Sequence, residues 1–151
     1  MIEINNREDI KKRFSALSPD MKPLFGKMTA QHMVEHLSFT LMISNGKFPQ
    51  KLHLPVEKAK LMKDALLKMD TDIPRGFKAP LLGEDLPKLA FADLSTAIGK
   101  LFSELERFDA YFTENASARP THPVLGDLNH QEWTSFHNKH FKHHFLQFGL
   151  V

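Results

Sequence analysis

Residues 133–148, WTSFHNKHFKHHFLQF, hold four histidines within eight positions. His140 and His144 are four residues apart, so on an α-helix their side chains stand one turn apart, with about 5–6 Å between Cβ atoms. On a helical wheel His137 falls on the same side as this pair, whereas His143 falls on the opposite flank. The spacing therefore predicts a helix that directs three histidines at the core and leaves His143 at the rim.

Three buried imidazoles are costly unless each ring nitrogen finds a partner. A shared metal ion would supply those partners at once. Alternatively, the histidines are separately hydrogen-bonded core residues or part of a basic solvated face, which is the simpler interpretation for any single one. A pair at positions i and i+4, flanked by aromatic residues, favours the metal interpretation, provided that a third ligand comes from elsewhere.

An earlier stretch, residues 29–44 (TAQHMVEHLSFTLMIS), supplies a candidate for that third ligand. The stretch predicts a helix with Thr29 as its N-cap. On its wheel His36 lies within the apolar arc and should point toward the core, whereas His32 lies nearer the polar boundary. A hydrogen-bonded core histidine is the alternative for His36, but the unmatched pair on the last helix favours a metal ligand. Glu35 falls off the site face, which favours a structural or solvated role.

Helical periodicity recurs along the rest of the chain, and no segment shows the period-two alternation of strands. We therefore expect an all-α fold without a sheet, in which residues 1–151 form a single domain of four main helices and a shorter one. The other predicted helices cover 7–17, 55–69, 93–113 and a final segment opened by an Asn129/Glu132 capping box. The loop at 70–88 and the loop that holds His122 are expected to border the site.

The composition limits the kinds of metal ligand and the classes of partner that the protein can have. There is no cysteine, so a metal must be held by nitrogen and oxygen ligands. A net charge of +2 is too small to indicate a nucleic-acid partner, and no apolar run is long enough for a membrane span. The N-terminal residues lack the apolar core of a signal peptide, which predicts a cytoplasmic location.

Two stretches, KMTAQHMVEHL and HPVLGDLNHQEWTSFHNKHFKHHFLQFG, resemble the DinB/YfiT-like metalloprotein superfamily. The resemblance implies a four-helix bundle of up-down-down-up connectivity, with a short additional helix and long loops. It also implies a three-histidine site for a divalent metal, zinc or nickel, with an open water position. Matched onto this chain, the ligands are His36, His140 and His144. A register slip of one residue would exchange His144 for His143, and the wheel favours His144.

Three further histidines have no ligand equivalent in the superfamily. They are candidates for contacting the ligands or the substrate: His32, His122 and His137.

Characterised relatives include thiol-dependent S-transferases and isomerases, so the resemblance implies a metal-dependent enzyme. Its chemistry would be thiol S-transfer or hydrolysis on a small molecule, with a low-molecular-weight thiol as one partner. The alternative is a non-catalytic, stress-related or small-ligand-binding bundle whose metal site is structural or vestigial. Because relatives are often dimeric, the resemblance also implies a homodimer, which an apolar helix face left over from a four-helix core would support.

Overall fold

Five α-helices and one short β-hairpin make up the chain over residues 1–69, 71–75 and 86–151, which the computed structural model describes. In chain order the elements are α1 (Arg7–Ser15), α2 (Ala30–Ser44), α3 (Val56–Leu67), α4 (Leu94–Glu114), β1 (Thr121–His122), β2 (Gly126–Asp127) and α5 (His130–Gln147). The predicted all-α class is confirmed, since strand in this part of the chain is confined to the hairpin. Within the described residues, no helix has both the length and the apolar character that crossing a membrane requires.

The helix starts follow the predicted capping residues. Thr29 Oγ1 accepts a hydrogen bond from the backbone N–H of His32 and caps α2. Asn129 and Glu132 form the reciprocal capping box that opens α5, with each side chain accepting from the other residue's backbone N–H. These caps pair backbone donors that the first turn of a helix leaves free, and so they set where the two histidine-bearing helices begin.

The core lies where α2 packs along α4 and where α5 meets α1. Leu101, Leu105 and Phe108 of the predicted α4 seam are fully buried. The Phe14 ring of α1 lies 5.1 Å from the Phe145 ring of α5, edge to face. Large apolar side chains therefore fix the helices that carry the histidines.

A buried carboxylate joins the end of α2 to α4. The side chain of Glu104 is fully buried and accepts a hydrogen bond from Asn45 Nδ2 at 3.1 Å. Lys47, Lys100 and Arg107 lie within 3.4 Å of its oxygens. Burial raises the pKa of Glu104, but the hydrogen bonds from Lys100 and Asn45 and the nearby positive charges outweigh it and hold the pKa below its usual range.

The expectation that the chain has no sheet was wrong. Residues 121–127 form an antiparallel hairpin in which Thr121 pairs with Asp127 and His122 with Gly126. Its strands are two residues long, too short to produce an alternating pattern in the sequence. Gly126 has φ +84°, a conformation that favours glycine. Trp133 Nε1 donates to Pro120 O at 2.9 Å and ties the hairpin to α5.

The outer face of α5 holds the start of the predicted 70–88 loop. Lys139 Nζ donates to Thr71 O at 2.6 Å, Lys142 pairs with Asp72 at 2.9 Å, and His143 Nδ1 lies 3.2 Å from Ile73 O. Asp70 and residues 76–85 of that loop lie outside the described residues. The described start of the loop is thus anchored on the same helix that carries His140 and His144.

Candidate metal centre

His36 of α2 meets His140 and His144 of α5. One ring nitrogen from each residue lies within 4.8 Å of the other two. The Nε2 of His140 is 3.0 Å from the Nε2 of His36 and 3.2 Å from the Nε2 of His144. The helical spacing on α5 sets the distance between His140 and His144, and the packing of α2 against α5 sets the distance between His36 and His140.

The protonation of His144 follows from its neighbour. His144 Nδ1 lies 2.7 Å from Gln147 Oε1, and Gln147 Nε2 donates to Phe25 O at 3.1 Å. Because the amide nitrogen of Gln147 is committed to a carbonyl, its oxygen faces the histidine and accepts from Nδ1–H. His144 Nε2 therefore carries the lone pair and directs it at the cluster.

The other two rings have buried nitrogens with no hydrogen-bond partner among the described residues, namely His36 Nδ1 and His140 Nδ1. Burial lowers the pKa of His36 to about 4. Burial, with the neighbouring histidines, also holds the pKa values of His140 and His144 well below 6.5. All three rings are thus neutral near pH 7, the form in which imidazole binds a metal.

The arrangement fits a divalent cation. Each ring nitrogen of a neutral imidazole carries either one proton or one lone pair, so it can pair with only one neighbour. At least one of the three clustered nitrogens is therefore left without a hydrogen-bond partner in the cluster. Tetrahedral coordination at about 2.0–2.1 Å would space the nitrogens by about 3.3 Å, close to the separations of 3.0 and 3.2 Å. His36, His140 and His144 together could hold a metal ion.

His143 stands apart from this group. Its Nδ1 faces Ile73 O, and its ring lies edge-on to Phe25 at 5.4 Å between centroids. The side chain is half-buried, at the rim that the wheel predicted. The structure therefore brings His144, and not His143, into the cluster with His36 and His140.

His137 lies one turn before His140 but belongs to the core. Its ring is fully buried, stacks on Trp133 at 5.3 Å, and has Nε2 2.8 Å from Ser44 Oγ. Ser44 Oγ donates to Leu41 O at 2.8 Å, so it accepts from His137 Nε2–H. Burial lowers the pKa of His137 to about 3. His137 thus joins α5 to α2 next to the histidine cluster.

His32 also stays out of the cluster. Its Nδ1 lies 2.6 Å from Thr29 Oγ1 and its Nε2 lies 2.9 Å from Pro87 O. Glu35, on the next turn, accepts hydrogen bonds from the backbone N–H groups of Ala90 and Phe91. This end of α2 therefore holds residues 87–91 in place, in keeping with the structural role predicted for Glu35.

The histidine cluster forms part of the wall of a cavity of about 380 Å³. Residues 71–74 and 122–125 also line it, which confirms for those residues that both predicted loops border the site. Most of the remaining lining is apolar, including Phe39 and Ile43 of α2, Met62 and Leu66 of α3, and Phe136 of α5. A cavity of this size and character suits a small molecule.

Only one of the three additional candidate histidines, His122, lines this cavity. Its Nδ1 accepts hydrogen bonds from the backbone N–H groups of Val124 at 3.0 Å and Leu125 at 3.1 Å. Burial lowers its pKa to about 3, so the ring is neutral and its proton resides on Nε2. Phe136 separates it from the cluster, with ring centroids 4.5 Å from His122 and 5.2 Å from His140.

A family model described as "Protein of unknown function (DUF1569)" matches residues 27–149. The chain belongs to this family. The match spans α2 to α5, so the three clustered histidines, Gln147 and the hairpin all lie inside the DUF1569 region, while α1 precedes it. A search of curated proteins gave no match, and a search of solved structures gave none.

Two features of the DUF1569 site escaped the sequence analysis. Gln147 orients His144 from three residues away, and this i, i+3 spacing on one helix was the signal that could have revealed it. Met62 and Leu66 belong to the apolar stripe of α3, which lines the cavity in part. A stripe next to a cavity has the same periodicity as a stripe in a filled core, so the sequence could not distinguish them.

Proposed function

We propose that this chain is a metal-dependent enzyme that uses His36, His140 and His144 to hold one divalent cation. The reaction we propose is thiol S-transfer or hydrolysis on a small molecule. The observation that carries the proposal is the convergence of three neutral ring nitrogens at the wall of an apolar cavity. Such a cluster next to a ligand-sized cavity is characteristic of a reaction site.

The donor set supports zinc or nickel. All three donors are imidazole nitrogens, and the chain contains no cysteine to supply thiolate. Imidazole suits zinc and nickel, whereas magnesium and calcium prefer oxygen ligands. Gln147 supports the same assignment because it fixes the His144 tautomer in the way that outer hydrogen-bond partners of metal-bound histidines do.

A catalytic role is supported by the number and the setting of the ligands. Structural zinc sites are usually closed by four protein ligands, whereas catalytic sites use three and keep one position exchangeable. When bound, a divalent cation there would supply Lewis-acid polarisation of a carbonyl, or activation of water or a thiol. The apolar walls around Ile43 and Leu66 would exclude bulk water from a bound substrate, and His122 would offer it a hydrogen bond.

The resemblance to DinB/YfiT-like proteins belongs to the same proposal. It supports an up-down-down-up bundle formed by α2, α3, α4 and α5, with α1 as the short additional helix. The helix order, with one clustered histidine on α2 and two on α5, is compatible with this arrangement.

A non-catalytic ligand-binding protein is the second candidate, and the carboxylates near the cavity favour it. Asp72 is paired with Lys142, and Glu35 is occupied by the backbone of Ala90 and Phe91. Neither is therefore ready to serve as a general base. In this alternative the metal would stabilise the α2–α5 contact, and turnover would be absent.

Turnover by the metal-loaded chain separates the two candidates. Purified protein would be stripped with EDTA, reloaded with zinc or nickel, and assayed with p-nitrophenyl acetate for hydrolysis. Thiol transfer would be assayed with 1-chloro-2,4-dinitrobenzene and cysteine. The enzyme proposal predicts activity that requires metal and is lost in His140→Ala. Metal binding at unit stoichiometry without turnover of either probe would favour the binding protein.

A further inference from the structure

The polarity of the cavity restricts what it can hold. Among the described lining residues, Asp72 is the only side chain that is charged near pH 7, and Lys142 pairs with it at 2.9 Å. No lysine or arginine lines the cavity in that part of the chain. In the metal-free protein, a ligand carrying a net charge would lose its hydration without gaining an ion pair at this wall.

One lining group is set up to contact a polar atom. His122 Nδ1 already accepts two backbone N–H groups, so Nε2 carries the proton and is a donor only. The described residues form no hydrogen bond to Nε2, and the His122 side chain lines the cavity. An N–H group at a mostly apolar wall is suited to an uncharged acceptor on a ligand.

Hydrogen bonds and ring packing fix the position of the His122 donor. The hairpin that carries His122 is fastened by Trp133 Nε1 to Pro120 O at 2.9 Å and by the backbone N–H of His53 to Pro123 O at 2.8 Å. The His122 ring itself packs edge-on against Phe136. Its N–H direction is therefore fixed before any ligand arrives, which reduces the ordering cost of binding.

We propose that the cavity binds an uncharged, mostly apolar small molecule, and that His122 donates its Nε2–H to an acceptor atom on that molecule. This inference rests on the proposed function, because it names the substrate class of the same site. Neither the apolar contacts nor the His122 hydrogen bond requires the metal. Ligand binding without metal therefore tests this inference, and metal binding tests the proposed function separately.

Three probes of similar size test the ligand class: acetophenone, with an uncharged acceptor; ethylbenzene, with none; and benzoate, with a charge. Isothermal titration calorimetry would be run on the full chain with EDTA and again with zinc. In EDTA we expect acetophenone and ethylbenzene to bind and benzoate not to bind. Each methylene added to the ketone chain should tighten binding by about threefold to fourfold until the cavity is filled.

The hydrogen bond is tested with His122→Asn. Asparagine can accept the backbone N–H groups through its own carbonyl and so keep the turn. Its amide N–H groups lie on a shorter side chain and do not reach the position of Nε2. We expect it to weaken acetophenone binding by about threefold to tenfold and to leave ethylbenzene binding unchanged. An equal effect on both probes, or no effect on either, overturns the role of His122.

The apolar wall is tested with Leu66→Lys, which places a cation beside the cavity. Its matched control is Leu61→Lys, on the same helix at a side chain that is 71% exposed and does not line the cavity. Leu66→Lys should weaken the binding of both uncharged probes at least about fivefold, and the control should not.

If benzoate binds the EDTA-treated protein as tightly as acetophenone, or no uncharged probe binds at millimolar concentration, the proposed ligand class is wrong. If the uncharged probes bind but zinc does not, the metal proposal alone fails.

Discussion

Gln147 Oε1 lies 2.7 Å from Nδ1 of His144, one turn along α5 and on the side of the ring away from the histidine cluster. The bond fixes the tautomer that presents the Nε2 lone pair to the cluster. Gln147 is itself held by Phe25 O, so the orientation is transmitted from the loop before α2 to the proposed ligand.

Removing this support should weaken metal binding without removing a ligand. We expect Gln147→Ala to lower zinc affinity by about tenfold to 100-fold, because His144 is then free to place its proton on Nε2. Competition with a chromophoric chelator would measure the affinity. Gln147→Glu keeps an acceptor at the same place and should retain most of the affinity. Equal affinities for wild type and Gln147→Ala would show that the contact does not tune the site.

Acid should destabilise the metal-free protein through its buried histidines. Burial lowers the pKa of His122 and of His137 to about 3, whereas an unfolded histidine titrates near 6.5. Between these values the unfolded state binds more protons, so stability falls as pH drops below 6.5 and levels off near pH 3. Each group contributes at most about 1.4 kcal/mol per pH unit in that window. Urea unfolding in EDTA at pH 7.5 and 5.0 would measure the change.

His122→Asn provides the control for this pH dependence of stability. The variant removes one of the buried titrating histidines and keeps an acceptor for the Val124 and Leu125 N–H groups. Its stability should therefore fall less between pH 7.5 and 5.0 than that of the wild type. If the two proteins lose the same free energy of unfolding, His122 is not neutral and buried in the folded state.

Glu104 should contribute to stability through its buried hydrogen bonds and ion pairs. Glu104→Gln keeps the size of the side chain but removes the charge shared by Lys47 and Lys100. We expect a loss of about 1–3 kcal/mol in the free energy of unfolding, measured with urea at pH 7. Glu106→Gln, at an exposed position on the same helix, should change it by less than about 0.5 kcal/mol. Equal losses in both variants would contradict this account of Glu104.

The sequence predicted those parts of the molecule that depend on local spacing. The α4 seam, the Asn129 cap and the inward direction of His36, His140 and His144 all follow from positions along one helix. We inferred that α2 and α5 meet at these histidines because the pair on α5 lacked a third ligand. The structure brings the three rings together.

Features that depend on distant parts of the chain were not predictable. The hairpin has strands of two residues, which leave no periodic signal, and the protonation of His122 depends on the turn that the hairpin creates. The contacts of Lys139 and His143 with residues 71 and 73 join segments about 70 positions apart, and neither segment indicates the other. Such pairings are decided by packing, which a helical wheel does not include.

The metal content of the protein and its histidine variants tests the central claim most directly. The chain would be purified without a nickel column, which could itself load the site, then equilibrated with zinc, dialysed and analysed by mass spectrometry for metal per chain. We predict about one zinc in the wild type, almost none in His36→Ala, His140→Ala and His144→Ala, and about one in His143→Ala, with helical content largely retained throughout. If His143→Ala loses the ion and His144→Ala keeps it, or if no histidine variant changes the metal content, the three-histidine site described here is contradicted.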